Sequence, residues 1–266
     1  LRTFALSPDG RWIAGSLAVE VPEQQLRKGG AGILSLYLWD TASGQRMRAL
    51  DGQVPPITAL AFSPDARTLA SAGYTRSDVW LWDVASGKPV LLIPNALEGC
   101  SVEALAFHPR GNFLAVGGID WMATSGTDGA VALWDPAEKE LLITFGYGTT
   151  ALAIHPGGTR LATASLTSSL QVWEVPGGDL LAELKGHTDA VSCVAYSPNG
   201  RLLASGSDDH TLRLWDAATD ALLAVTTLDT QVKALCFSPD SASLFTDNAN
   251  TSCYQLSVQK LLAEGT

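Results

Sequence analysis

Gly186-His187, Ser197-Pro198-Asn199-Gly200-Arg201, Ser205-Gly206-Ser207-Asp208-Asp209 and Leu214-Trp215-Asp216 make up one copy of a motif that recurs six times in this 266-residue chain. A repeat settles architecture before any single residue does, because each unit must bury against its neighbour what it cannot bury alone. Trp-Asp or Trp-Glu closes successive copies at Trp39-Asp40, Trp82-Asp83, Trp134-Asp135, Trp173-Glu174 and Trp215-Asp216. Leu256-Ser257 takes the sixth slot when Ser238-Pro239 is aligned with Ser197-Pro198. The closing positions stand 43, 52, 39, 42 and 41 residues apart. In the fifth copy, Val191 to Tyr196 predicts a strand, Asn199-Gly200 the positive φ angles of a tight hairpin turn, and Arg201 to Ser207 the antiparallel partner. Thr211 to Asp216, with Leu212 and Leu214 alternating with Arg213, predicts a third strand, and Ala221 to Thr227 a fourth. Matching turns recur at Asp9-Gly10, Arg110-Gly111, Gly157-Gly158, Asp65-Ala66 and Asp240-Ser241. The expectation is an all-β chain of six four-stranded sheets, each covering the apolar face of the next around an axis.

A Gly-His upstream and a Trp-Asp downstream, recurring at roughly 40 to 45 residues, resemble the WD-repeat (WD40) family of β-propellers over nearly the whole chain. The resemblance implies one propeller domain over residues 1–266, its six repeats closing at about 40, 83, 135, 174, 216 and 257. Most members have seven blades, so the chain is expected to be a fragment of a longer protein and part of a seven-bladed ring. Thr266 is then expected in the outermost strand of the sixth blade. The resemblance also implies a hydrogen-bonded tetrad, whose matching residues here are His187, Ser205, Asp209 and Trp215. Six positions before the closing residue stand Asp128, Thr167 and Asn250 in copies three, four and six, and ten before it stand Thr124, Thr163 and Thr246.

Composition narrows the classes of function. At 46% hydrophobic and 17% charged, the chain can build a large core and is not disordered. Its 17 Lys and Arg against 27 Asp and Glu, a net charge of −10, offer no global field for phosphate backbones or anionic membranes. Neither nucleic acid nor membrane is expected as a partner, and a cytoplasmic setting is. Cys100, Cys193, Cys236 and Cys253 lack Cys-x-x-Cys spacing, and Cys193 and Cys236, on innermost strands, are expected to be buried thiols. No metal site or cofactor is expected. His108 and His155 replace the Ser of the Ser-Pro turn and are expected to cap their turns.

Ser205, His187 and Asp209 have the residue types of a hydrolase triad, but nothing signals an exposed nucleophile or an oxyanion hole. The innermost strands carry Phe4-Ala5-Leu6, Leu60-Ala61-Phe62, Leu105-Ala106-Phe107 and Leu152-Ala153-Ile154, an inert channel wall. No enzymatic activity is expected. Between the Ser-Pro position and the closing residue, the first and third copies carry about 14 and 8 extra residues, which the resemblance puts on the face where partners dock. The first insertion, Val21 to Gly32, is polar; in the third copy Phe113 to Asp120 and Trp121 to Asp128 both fit the second strand, predicting a bulged or lengthened hairpin around Gly117-Gly118. The expected function is a non-catalytic scaffold, or the sensing part of a larger protein. Its propeller, monomeric, binds a protein or another domain of the same chain through Arg27, Lys28, Glu98, Trp121, Tyr147, Asp189, Asp208 and Gln231. A glycan or small-ligand binder, stacking on Trp121 and Tyr147, is the alternative.

Overall fold

The computed structural model describes residues 3–18, 34–50, 56–73, 76–120 and 129–264. The first blade holds β1 (Phe4–Leu6), β2 (Trp12–Ala18), β3 (Leu34–Asp40) and β4 (Arg46–Leu50). The second holds β5 (Ile57–Phe62), β6 (Thr68–Gly73), β7 (Arg76–Asp83) and β8 (Pro89–Ile93). The third holds β9 (Ser101–Phe107), β10 (Leu114–Ile119), β11 (Gly129–Asp135) and β12 (Glu140–Phe145). The fourth holds β13 (Ala151–Ile154), β14 (Arg160–Ala164), β15 (Leu170–Glu174) and β16 (Leu180–Leu184). The fifth holds β17 (Val191–Tyr196), β18 (Leu202–Ser207), β19 (Thr211–Asp216) and β20 (Leu222–Thr227). The sixth holds β21 (Val232–Phe237), β22 (Ser243–Asn248) and β23 (Cys253–Ser257), followed by helix α1 (Val258–Glu264). Within each sheet the strands follow sequence order, and the six sheets stand around one axis as a six-bladed β-propeller.

The turns show why the strands pair in this register. In the fifth blade, Gly200 N–H bonds the Ser197 carbonyl at 2.8 Å and Ser197 N–H bonds the Leu202 carbonyl at 2.9 Å. Asn199 Oδ1 accepts from Ser197 Oγ at 2.8 Å and from Arg201 N–H at 3.0 Å. Gly200 alone has a positive φ, 70°, so the pair does not supply two such residues as its sequence suggested. Ala66 and Ser241 accept φ of 58° and 61° at the same position, held by Asp65 and Asp240 in the role of Asn199.

Small residues on the second strands let the blades approach. β10 and β18 are buried throughout, and a Cβ on Gly206 would stand 2.5 Å from Val232 Cγ1 of the next blade. The closing tryptophans of the second to fifth blades pack back onto the preceding blade. Trp82 lies among Leu36, Leu38 and Leu50, Trp173 among Val131, Leu133 and Phe145, and Trp215 among Leu170, Val172 and Leu184. Such wedges couple neighbouring sheets into one continuous core.

The end of the chain departs from expectation. Val258–Glu264 is a helix, where a fourth strand of the sixth blade was expected. Gln259, Lys260, Leu261, Leu262 and Ala263 all favour helix, and Val258 and Leu261, three apart, bury one face against the outer side of β20. In the third blade the pairing selects Leu114–Ile119 as second strand, with a register shift at Gly117/Gly118. Val116 therefore occupies the position of Ser205, and Trp134 Nε1 donates to the Ala96 carbonyl at 3.0 Å instead. Residues 121–128, with Trp121, Thr124 and Asp128, lie outside the described residues, as does the first insertion with Arg27 and Lys28.

Burial is uneven around the ring. Consecutive innermost strands touch from β1 through β5, β9, β13 and β17 to β21, and among the described residues no contact of that extent joins β21 to β1. β22 alternates buried and exposed, where β18 is buried on both faces. Cys236, Phe245 and Gln255 stand side by side on its open face, next to Ala234, Asp247 and Cys253. Cys236 is therefore exposed, contrary to the expected buried thiol, while Cys193 is buried and its thiol is pushed up to about 12 by that burial. On β1, Phe4 and Leu6 are 71% and 58% exposed.

Candidate functional site

Four side chains in the fifth blade form one polar chain inside the core. Trp215 Nε1–H donates to Ser205 Oγ at 3.0 Å, Ser205 Oγ lies 2.9 Å from His187 Nε2, and His187 Nδ1 lies 2.9 Å from Asp209 Oδ2. The arrangement is satisfied throughout when the serine hydroxyl donates to Nε2 and the neutral imidazole donates from Nδ1. Burial pushes the His187 pKa below the ordinary histidine value, and the Asp209 carboxylate only partly offsets it. Burial acts to raise Asp209, but bonds from the Thr211 hydroxyl, Thr188 N–H, His187 and Thr211 N–H hold its carboxyl below the usual range. The order Ser-His-Asp is that of a hydrolase triad, yet Ser205 has 0% exposure and already accepts from the indole. No substrate carbonyl can reach that oxygen. The network ties the loop before β17 to the turn after β18 and so fixes both at one end of the barrel.

Other blades keep parts of this chain. Trp82 Nε1 donates to Ser71 Oγ at 2.7 Å and Trp173 Nε1 to Thr163 Oγ1 at 3.0 Å. In the sixth blade the Leu256 side chain has no N–H to offer, and the Thr246 hydroxyl is buried without a partner among the described residues. Thr167 instead bonds Ser165 within its turn, and Asn250 bonds Asp229 Oδ2 across the loop end at 3.1 Å.

Glu98, Tyr147, Asp189 and Gln231 all lie in connections from an outermost strand to the next innermost one, and Asp208 in the turn between β18 and β19. The topology brings these five to the same end as His187. Tyr147 is 57% exposed, and Glu98 and Asp189 are exposed. Asp208 is half-buried: it accepts from Lys233 Nζ at 2.7 Å and from Ser192 Oγ at 2.8 Å. Gln231 is also half-buried, its carbonyl taking Ala249 N–H at 3.0 Å. Sequence reasoning overlooked Lys233 and Ser192. The available signal was a polar residue at one place near the start of the innermost strands of blades two to six, Thr58, Glu103, Thr150, Ser192 and Lys233, in an otherwise apolar segment. Thr58 and Thr150 use theirs to bond the Val102 and Val191 carbonyls of the following blade at 2.5 and 2.9 Å. A cleft of about 360 Å³ opens nearby between the fourth and fifth blades, lined by Thr167, Ser169, Glu183, Lys185 and His187 among others.

His108 and His155 do more than cap. Nδ1 of each accepts the turn's own N–H, from Arg110 at 3.1 Å and Gly157 at 2.9 Å. Nε2 of each reaches the next blade, at the Gly158 carbonyl at 3.1 Å and the Gly200 carbonyl at 2.9 Å. Both nitrogens of both rings are therefore engaged, Nδ1 within its own turn and Nε2 in joining blades.

The sequence profile described as "WD domain, G-beta repeat" matches residues 44–83, 93–135, 139–174 and 178–216. This chain is a WD-repeat protein. Three of the four matched units, 44–83, 139–174 and 178–216, cover the outermost strand of one blade and the inner three of the next, so the sequence repeat itself staples neighbouring blades. The WD-repeat protein is 24% identical over 258 residues to Autophagy-related protein 16 of Arabidopsis thaliana, covering 92% of this chain and 48% of the relative. It is 31% identical over 180 residues to Nuclear distribution protein PAC1 of Arthroderma otae, covering 63% and 37%. It is 27% identical over 248 residues to "Cell division cycle 20.1, cofactor of APC complex" of Arabidopsis thaliana, covering 84% and 51%. The chain thus spans about half the length, or less, of these relatives. Among the described residues, no helix of the WD-repeat protein is long and apolar enough to cross a membrane.

Proposed function

We propose that this propeller is a non-catalytic module that holds a protein partner on its loop-bearing end, around Glu98, Tyr147, Asp189, Asp208 and Gln231. The carrying observation is the convergence of these residues at one rim, with an exposed aromatic among charges and the rim anchored by the buried His187 network. Exposed aromatics on rigid scaffolds supply contact area at little entropic cost, and surrounding charges set specificity. The name of the relative described as a cofactor of APC complex is compatible with such work and concerns that protein alone. The test is capture from extracts of the source cells by wild type and by Tyr147→Ala with Asp189→Lys. Loss of specifically captured proteins at an unchanged melting temperature supports the reading. Retained capture removes this surface from consideration, and saturable glycan binding lost in Tyr147→Ala replaces a protein with a sugar.

We infer further that the six blades work within a longer polypeptide that covers the seam between the first and sixth blades. What supports this is the exposed Phe4, Leu6 and Phe245 on the facing sheets. Trp39, in the wedge position, also lines an apolar notch of about 270 Å³ with Ile13. Each other wedge tryptophan has a preceding blade to pack on. An intact mass of the native protein well above 28.0 kDa is expected; a mass of 28.0 kDa refutes it.

A further inference from the structure

At the end of the propeller opposite the loop face, four of the five seams between consecutive blades are closed by specific bonds among the described residues. The histidine bonds from His108 and His155 close the seams between blades three and four and between four and five. Asn199 N–H to Ser241 Oγ at 3.2 Å closes the seam between five and six. The outer side of the seam between one and two is bridged by the Arg48 guanidinium donating to the Ala85 carbonyl of the next blade.

The seam between blades two and three has neither device. Ser63 holds the position of His108, and its hydroxyl is committed within its own turn, to Asp65 Oδ1 at 2.6 Å and Thr68 N–H at 2.9 Å. Leu91 holds the position of Arg48, opposite Leu81 as Arg48 is opposite Leu38, and an isobutyl group cannot bond the turn carbonyls across the gap. The result is a cleft of about 470 Å³. That volume falls in the range of ~300–1,000 Å³ usual for ligand pockets. Its apolar wall includes Leu91, Phe107 and Val90, the last 59% exposed, and its rim carries Arg110 and Lys139. Both cations are exposed, and neither has an ion-pair partner among the described residues. The one lining carboxylate, Asp65, already accepts from Ser63 Oγ and Arg67 N–H. In a chain of net charge −10, this cleft is a place where unpaired positive charge flanks exposed apolar surface.

We propose that this cleft is a docking groove for an extended peptide carrying carboxylates on either side of an aliphatic side chain. The aliphatic group covers Phe107, Leu91 and Val90, and the carboxylates meet Arg110 and Lys139. The surface is separate from the loop face, and the two are independent. The probe is a fluorescein-labelled peptide of about eight alternating glutamates and leucines, titrated with the 266-residue chain while fluorescence anisotropy is read. Saturable binding is expected, weakening with added salt and reduced about tenfold by R110E/K139E, the scale of losing two exposed ion pairs. Leu91→Arg rebuilds the bridge that Arg48 makes and is expected to abolish binding with the melting temperature held or raised. Tyr147→Ala with Asp189→Lys is expected to leave binding intact. The proposal is overturned by absence of saturable binding, by binding that survives Leu91→Arg or the charge reversal, or by equal affinity for a lysine-leucine peptide. Competition by free glutamate as effective as by unlabelled peptide also overturns it, reducing the groove to a small-anion site.

Discussion

Replacing His187 with Ala should destabilise the propeller by ~1–3 kcal/mol, the range for leaving a buried hydrogen-bonding group without its partner. The imidazole has 0% side-chain exposure, so water does not take its place at once. The Ser205 hydroxyl, also 0% exposed, loses the acceptor 2.9 Å away, and Asp209 loses one donor while keeping those of Thr188 and Thr211. At ~2–4 °C per kcal/mol for a chain of this size, the melting temperature should fall by about 2 to 12 °C at pH 7.5. Acid sharpens the test. The folded-state pKa of His187 is depressed, so below the unfolded value of ~6.5 the unfolded chain binds the proton that the fold resists. Wild type therefore loses this share of stability as pH falls through the unfolded value toward the folded one, and the variant, lacking the group, does not. The stability gap between them should narrow from pH 7.5 to pH 5. Asp209, also depressed, adds its own loss only on further acidification, below the ordinary carboxylate value. Melts followed by tryptophan fluorescence across that range decide it. An unchanged melting temperature at pH 7.5, or a gap that widens on acidification, would refute the buried network as described.

Thr246→Val removes a buried hydroxyl that has no partner among the described residues and keeps the shape, so the melt should rise or hold, by up to ~1 kcal/mol; a clear fall would mean that the hydroxyl is bonded. Ser71→Ala strands the fully buried indole N–H of Trp82 and should cost ~1–3 kcal/mol. Trp82→Phe added to Ser71→Ala should cost less than Trp82→Phe alone, and strict additivity in urea melts would argue against the pair. Mass spectrometry after brief maleimide treatment should find Cys236 and Cys253 labelled in the folded chain and Cys193 labelled only after denaturation, since Cys193 is buried with its thiol held at about 12. Early labelling of Cys193 would contradict its place between the fifth and sixth blades.

Much of this molecule was legible in one dimension because it is repetitive. The fifth copy's strands lie within one residue of their sequence reading, since alternation, a Ser-Pro turn and a closing Trp-Asp all specify the same register locally. The His187 chain was reachable for the same reason: its members sit at fixed offsets within one unit, and the hairpin geometry brings them together. The third copy shows the limit. Two segments fitted its second strand equally well, and packing against both neighbours selected Leu114–Ile119.

What the sequence by itself determined is the blade: its strands, its turns and the buried polar chain that the fifth unit carries whole and the second and fourth in part. The tertiary structure alone decided whatever depends on a neighbouring blade. Val258–Glu264 became a helix because β20 offered its Val258 and Leu261 an apolar surface. Cys236 is exposed, although its strand matches that of Cys193, because no comparable sheet covers its face among the described residues. His108 and His155 join blades, and Leu91 and Ser63 leave a groove, through contacts to residues that a single repeat does not contain. Periodicity specifies what a strand presents; burial depends on what stands opposite, and that is a property of the assembled ring.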